Sequence, residues 1–331
     1  MLTGMTAPAP TLNAWLDEWL ALQRSQLKPS TVKSYTATAR AYLRPTLGTY
    51  RLDELTTRLI TATLNDLMGH GGRGGSRLAV RTIVYVHSVL HKALRDAVDL
   101  DIIAANPAAR ARRPRHDPDT GPPPEHAVDC WDAATTRRFL ALSAGHRFAD
   151  LWRVALGTGM RRGELCGLRW SQLDLDVPQL TVNASLAFID GRSVLTGTKT
   201  SRSRTLHLDH DTARAIARQP RRPGNDLDLV FTRPDGTPLT PQQISDAWRQ
   251  QWPRLADQGV PRLRLHATRH VHASLLLQQG VAMKVVSDRL GHATIAMTMN
   301  TYAHVLPAMD AHAAEVMGAL LDDPDDRHER A

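Results

Sequence analysis

Residues 110–125 read RARRPRHDPDTGPPPE, and this stretch divides the chain. It is rich in proline and arginine and carries no apolar periodicity, so it reads as an extended connector between two domains. Its arginines either meet phosphate on a bound polyanion or are simply solvated; the stretch itself does not choose. A chain of 331 residues is also too long for one average core. The expected division is a first domain over 11–107, a basic, proline-rich linker over 108–129, a second domain over 130–321 and a disordered polar tail over 322–331.

Upstream of the connector the pattern is helical. Leu12, Trp15, Leu16, Trp19, Leu20 and Leu22 recur at helix spacing and predict one stripe facing a core. Lys28-Pro29-Ser30-Thr31 breaks that run, and Ser30 or Thr31 can cap a second helix through Leu43. A third helix is expected through Ile60 to Met68, then a flexible loop at GHGGRGGS (69–76). A further helix from about Leu78 to Asp96 carries Val80, Ile83, Val84, Val86, Val89, Leu90 and Leu94. No convincing strand appears.

Downstream the pattern is mixed. Helices are expected from Ala133-Ala134-Thr135-Thr136, over Phe148 to Leu156, Asp209 to Ala217, Pro241 to Leu255, Ala267 to Gln279, Met283 to Leu290, Ile295 to Met299 and Met309 to Leu321. Gln179 to Ala187, Ser193 to Leu195 and Thr205 to Leu208 have strand composition, with Asp190-Gly191 as a hairpin turn. The fold class is therefore mainly α with a small antiparallel β-sheet: a helical first domain and an α+β second domain.

Charge narrows the partner. Lys and Arg number 41 against 33 Asp and Glu, a formal net charge of +8, which favours nucleic acid or an anionic membrane surface. No apolar run approaches the roughly 20 residues of a membrane span, and Met1 to Pro10 lacks the pattern of a secretory signal. Cys130 and Cys166 have neither CxxC spacing nor a disulfide framework. A reduced, cytoplasmic protein without membrane attachment is expected.

Four segments of the second domain carry chemistry. Gly157, Gly159 and Gly163 resemble a dinucleotide loop, but that motif follows a strand and Leu151 to Leu156 reads as helix. A tight turn presenting Arg161 at a helix start fits better, and a planar guanidinium matches two phosphate oxygens. Taken alone, Arg161 and Arg162 are also readable as a surface pair. Lys199 is either an exposed lysine at a hairpin tip or a mobile ammonium that delivers a proton to a leaving oxygen. His266 and Arg269 share one face at a helix start, where the helix dipole favours an anion. His266 and His270 have zinc-ligand spacing, but the glutamate of HExxH and a third ligand are missing. His292 follows a glycine that ends a helix. Tyr302, ten residues on, is as a lone tyrosine ordinarily a packed side chain. With a solution pKa near ~10 it needs a base and nearby cations to attack phosphorus. In order, Arg161, Lys199, His266, Arg269, His292 and Tyr302 make a phosphoryl-transfer set with no metal and no cofactor.

That ordered set resembles the tyrosine recombinase family, the phage integrases and their chromosomal relatives. TGMRRGELCGLRW (158–170), TKTSRSR (198–204), LHATRHVHASLLLQQG (265–280) and LGHATIAMTMNTYAHV (290–305) read like family segments in family order. Leu27-Lys-Pro-Ser-Thr-Val-Lys-Ser-Tyr35 and Asn106-Pro107 resemble the family's helical core-binding domain. The resemblance implies that Arg161 and Arg269 hold the non-bridging phosphate oxygens and that Lys199 protonates the departing 5′ oxygen. It implies that His266 takes or shares the tyrosine proton, His292 hydrogen-bonds the phosphate, and Tyr302 forms a 3′-phosphotyrosyl link. Glu164 is expected to buttress the arginine turn. Ala267 stands where the family often has Asp. About ten residues precede the first helix, so the separate arm-type DNA-binding domain of many integrases is not expected.

The resemblance further implies a clamp of two domains around double-stranded DNA recombination sites. It implies a monomer or weak oligomer when free, a homotetramer in the synaptic complex, and an accessory DNA-bending or directionality factor. Thr31, Lys33 and Arg81 lie on helices that the family presents to DNA, though each is equally readable as part of a solvated face. The helix from Met309 to Leu321, short and apolar on one side, is expected to dock on a neighbouring protomer, the alternative being its own core. Rival readings are a type IB topoisomerase-like activity, a non-catalytic DNA-binding protein, and a phosphate-binding metabolic enzyme.

Overall fold

The computed structural model describes residues 8–113, 130–189, 191–197, 203–302 and 306–321. Lys199, the greater part of the connector and the polar tail lie outside the described residues. The chain splits into two compact units, Met1–Glu125 and His126–Ala331.

The first unit is built from helices α1 (Leu12–Gln26), α2 (Pro29–Thr38), α3 (Arg44–Leu47), α4 (Thr57–His70) and α5 (Val80–Asp99). Thr11 and Thr56 cap α1 and α4 by accepting from the backbone N–H groups of Ala14 and Leu59. α2 starts differently from the expectation. Lys28 is its N-cap but its side chain makes no capping bond, and Pro29 occupies the first turn, so Ser30 and Thr31 lie inside the helix. α2 runs on through a π-helical turn (Ala39–Leu43) into α3. The wide turn precedes Pro45, which has no N–H to continue the ladder.

Trp15, Leu16, Trp19, Leu43, Ile60, Ile83 and Leu90 form the core of this unit. Trp19 donates to Asp96 (2.7 Å), which also accepts from Gln23 and Lys92, and Tyr35 stacks on Trp19. The packed core extends past residue 107: Ala108 and Ala111 are buried in it, and the Ala108 carbonyl meets His87 Nε2 at 2.9 Å. The first residues of the expected linker are thus part of the domain.

The second unit opens with α6 (Ala133–Leu142), α7 (Ala149–Thr158) and α8 (Arg162–Cys166). Strands β1 (Leu173–Asp174), β2 (Gln179–Val182), β3 (Ala184–Ile189), β4 (Arg192–Gly197) and β5 (Arg204–His207) follow. Helices α9 (His210–Ala217), α10 (Pro241–Gln250), α11 (Trp252–Asp257), α12 (Thr268–Gln278), α13 (Met283–Leu290), α14 (Ile295–Tyr302) and α15 (Leu306–Leu321) complete it. The strands make two antiparallel sheets, β1-β2-β5 and the hairpin β3-β4. The single strand expected over Gln179 to Ala187 breaks at Asn183, where the chain changes sheet. Gln172 holds the Asn183 side chain there. The helix expected over Pro241 to Leu255 is likewise two helices, because Pro253 can open α11 but cannot continue α10.

Trp131, Phe139, Trp152, Trp248 and Trp252 form an aromatic centre with ring centroids 4.8–6.4 Å apart. Trp248 donates to the Leu263 carbonyl at 2.6 Å, tying this core to the segment that enters α12. Among the described residues no helix is long and apolar enough to cross a membrane.

Candidate active site

The site forms where three turns of the second unit meet. α7 ends at Gly159, whose φ of +63° is left-handed and whose missing Cβ would lie 2.8 Å from the His272 ring. The chain then reverses and Arg161 becomes the N-cap of α8. This is the turn expected from the glycine spacing, and the helix before it removes the dinucleotide reading. Glu164, 1% exposed, accepts from the Arg161 backbone N–H (2.9 Å) and from Arg161 Nη1 (2.8 Å). Its carboxylate also accepts from Arg204 Nη2 at 2.7 Å. Burial is the largest influence on the Glu164 carboxyl and pushes its pKa up. The bonds from Arg204 and Arg161 outweigh it, so the pKa ends lowered and the group stays ionised.

Arg269 enters one residue into α12 and is 4% exposed. Its Nη1 donates to the Gly159 carbonyl (2.8 Å) and its Nη2 to the Leu290 carbonyl. Arg161 Nη2 donates to the next carbonyl, that of Gly291, at 3.1 Å. The two guanidinium groups are therefore held by one turn, that between α13 and α14. Gly291 is left-handed as well (φ +63°), and a Cβ there would lie 2.9 Å from Arg204 Nη1. Burial, then repulsion from Arg161, lowers the Arg269 pKa to about 9. It remains charged at neutral pH, in a pocket that favours an anion.

Tyr302 is the last residue of α14 and is 1% exposed. Its hydroxyl meets His270 Nδ1 at 2.9 Å. Burial raises the tyrosine pKa, and the Arg269 charge acts against that rise. His292 bonds through Nδ1 to the hydroxyl of Thr298 at 2.7 Å. Burial, then the charges of Arg269 and Arg161, push its pKa down to about 4, so its ring is neutral at physiological pH. His266 is exposed, with its ring 5.7 Å from that of His270.

Of the expected set, Arg161, Arg269, His292 and Tyr302 come together in this pocket, and Lys199 lies outside the described residues. His270 bonds the tyrosine hydroxyl, a contact that the motif order alone does not assign to it. In the sequence His270 has zinc-ligand spacing to His266, and its position directly after Arg269 is the signal for a role in the site. Arg204, within the segment TKTSRSR, completes the Glu164 cluster, a role its sequence position alone does not signal. Among the described residues no group of three His, Cys, Asp or Glu side chains could hold a metal ion. A cleft of about 690 Å³ runs past Arg161 and His266 and is lined by Arg162, Arg249, Arg262 and Arg264. Thr31, Lys33 and Arg81 belong to the first unit, on α2 and α5, and the latter two are exposed. A 2.7 Å bond between the Ser34 and Tyr85 hydroxyls joins those helices.

Residues 134–309 match the model of the Phage integrase family, and residues 11–68 match that of the Phage integrase N-terminal SAM-like domain. The chain belongs to the phage integrase family of tyrosine-type site-specific recombinases. Among relatives of this recombinase, the "Tyrosine recombinase XerC-like" protein of Caldanaerobacter subterraneus subsp. tengcongensis is 26% identical, over 94% of this chain and 82% of the relative. The ICEBs1 integrase of Bacillus subtilis is 25% identical, over 82% and 72%. The structure of the Tn1549 transposon integrase in complex with transposon right end DNA superposes with a TM-score of 0.76 at 22% identity, covering 93% of this chain and 99% of that one. A lambda integrase tetramer bound to a Holliday junction superposes with a TM-score of 0.60 at 18% identity, covering 88% and 77%. At these identities the solved structures speak to the fold.

Proposed function

We propose that this recombinase cuts and rejoins double-stranded DNA through a 3′-phosphotyrosyl bond to Tyr302, without metal or ATP. The observation that carries the reading is the bond from Tyr302 to His270 beside two carbonyl-anchored arginines. A phosphodiester entering the pocket replaces missing negative charge: Arg161 and Arg269 bind its non-bridging oxygens and stabilise the charge that builds in the transition state. The Tyr302 oxygen attacks phosphorus as its proton passes to His270. The phosphorus bond to the 5′ oxygen breaks, and Lys199 protonates that oxygen. His266, which lines the cleft, contacts the phosphate, and His292 donates to it. Religation is the reverse step with an incoming 5′ hydroxyl. The phosphotyrosyl bond replaces one phosphoester by another, so no nucleotide is needed. The fixed guanidinium groups supply the charge that a metal would otherwise bring.

Arg162, Arg249, Arg262 and Arg264 are suited to the phosphates flanking the cut, and Thr31, Lys33 and Arg81 to the duplex over the first domain. Such contacts give affinity that falls with salt by about 0.9 in log K per log salt for each phosphate neutralised. Exchange between two DNA sites requires four protomers, and a homotetramer is the proposed working assembly. The test is a nicked duplex from DNA flanking the gene, incubated in EDTA and resolved under denaturing conditions. The expected result is a protein–DNA adduct with the wild type and none with Tyr302→Phe.

A further inference from the structure

The interior of α14 holds a polar group that the chemistry above does not use. Thr298 is fully buried, and its hydroxyl lies 2.7 Å from His292 Nδ1. It sits one helical turn before Tyr302, so the helix that carries the nucleophile also grips the phosphate-binding histidine. Resting on the recombinase reading, we propose that Thr298 is a positioning residue that sets the tautomer of His292, so that Nε2–H is presented to the scissile phosphate.

Hydrogen-bond satisfaction decides the direction of the bond. If His292 Nδ1 carried the proton and donated to Thr298, the threonine's own hydrogen would have no acceptor among the described residues, in a fully buried place. With the hydroxyl donating to a bare Nδ1, both partners are satisfied. The neutral ring then carries its proton on Nε2, the one nitrogen left to bond a ligand. This tautomer donates to a phosphate oxygen. The other would turn a nitrogen lone pair toward oxygen lone pairs. The choice matters because the ring is neutral: a doubly protonated imidazolium would donate from either nitrogen, and burial with the nearby Arg269 and Arg161 charges suppresses that form. The same bond fixes α14 against the turn that holds Arg161 and Arg269, so phosphate contact and nucleophile are registered together.

The experiment uses the full chain labelled with ¹⁵N-histidine, read by long-range ¹H–¹⁵N correlation near neutral pH. His292 is assigned by its loss in His292→Gln. Thr298→Val keeps the branched shape and removes the hydroxyl, whereas Thr298→Ser restores it. The expected result is a fixed Nε2–H tautomer for His292 in the wild type and Thr298→Ser, and averaged ring signals in Thr298→Val. On a nicked duplex, Thr298→Val should form adduct about tenfold more slowly at unchanged DNA affinity, with Thr298→Ser close to wild type. An Nδ1–H tautomer in the wild type, or unchanged ring signals or cleavage rate in Thr298→Val, would overturn the assignment. The ring signals are measured without DNA. A wild type that forms no adduct would therefore count against the recombinase chemistry while leaving the tautomer result to stand or fall alone.

Discussion

Glu164 is the residue on which the charge balance of the pocket rests. It is the carboxylate that binds both Arg161 and Arg204, and it is buried. Removing one partner from such a cluster leaves buried charge uncompensated, so Glu164→Gln should lower stability by about 3 kcal/mol, measured as a shift in urea midpoint. His270→Ala acts on chemistry instead: folding should be retained and adduct formation slowed by about 100-fold or more, in single-turnover cleavage. Residue types were legible before the fold was seen, because the arginines, histidines and tyrosine follow one another in a recognisable order. That His270 meets the hydroxyl was not. His266 lies in the 3₁₀ turn before α12 and His270 inside the helix, and only the packing of α12 near α14 brings the second onto Tyr302.

At the scale of elements, the site depends on two left-handed glycine turns. Gly159 lies between α7 and α8 and Gly291 between α13 and α14, and each offers a carbonyl to an arginine. Gly159→Ala adds a Cβ against His272 in a backbone conformation that L-residues avoid, and should cost about 1–3 kcal/mol in chemical denaturation. Loop glycines and proline breaks are local signals, and the turn before Arg161 was read correctly from them. The change of sheet at Asn183 carried no such signal, because both strands share one β-rich composition and the break depends on Gln172 arriving from elsewhere. α15 ends with Leu320 and Leu321 exposed by 74% and 77%. Deleting residues after Pro307 should abolish tetramer assembly on DNA in a sedimentation or gel assay while sparing monomer binding. Unimpaired assembly would assign the helix to its own core.

For the whole molecule, acid should be destabilising over a defined window. His272 and His292 have pKa values near 4 in the fold against an ordinary 6.5, burial being the larger cause for each. The unfolded chain therefore binds more protons between those values, and stability falls as pH drops from about 6.5 to about 4. Urea midpoints across that range should decline, with a shallower slope in His272→Gln. The division into a helical and a mixed unit was legible from the proline-rich connector. The true edge of the first core was not, since Ala108 and Ala111 look like linker until His87 is seen to bind the Ala108 carbonyl. The central claim, that Tyr302 bonds to DNA phosphate without a metal, is tested most directly by covalent trapping on a nicked duplex in EDTA. A denaturation-resistant adduct with the wild type and none with Tyr302→Phe is predicted; an adduct that persists in Tyr302→Phe, or that forms only when divalent metal is supplied, would contradict it.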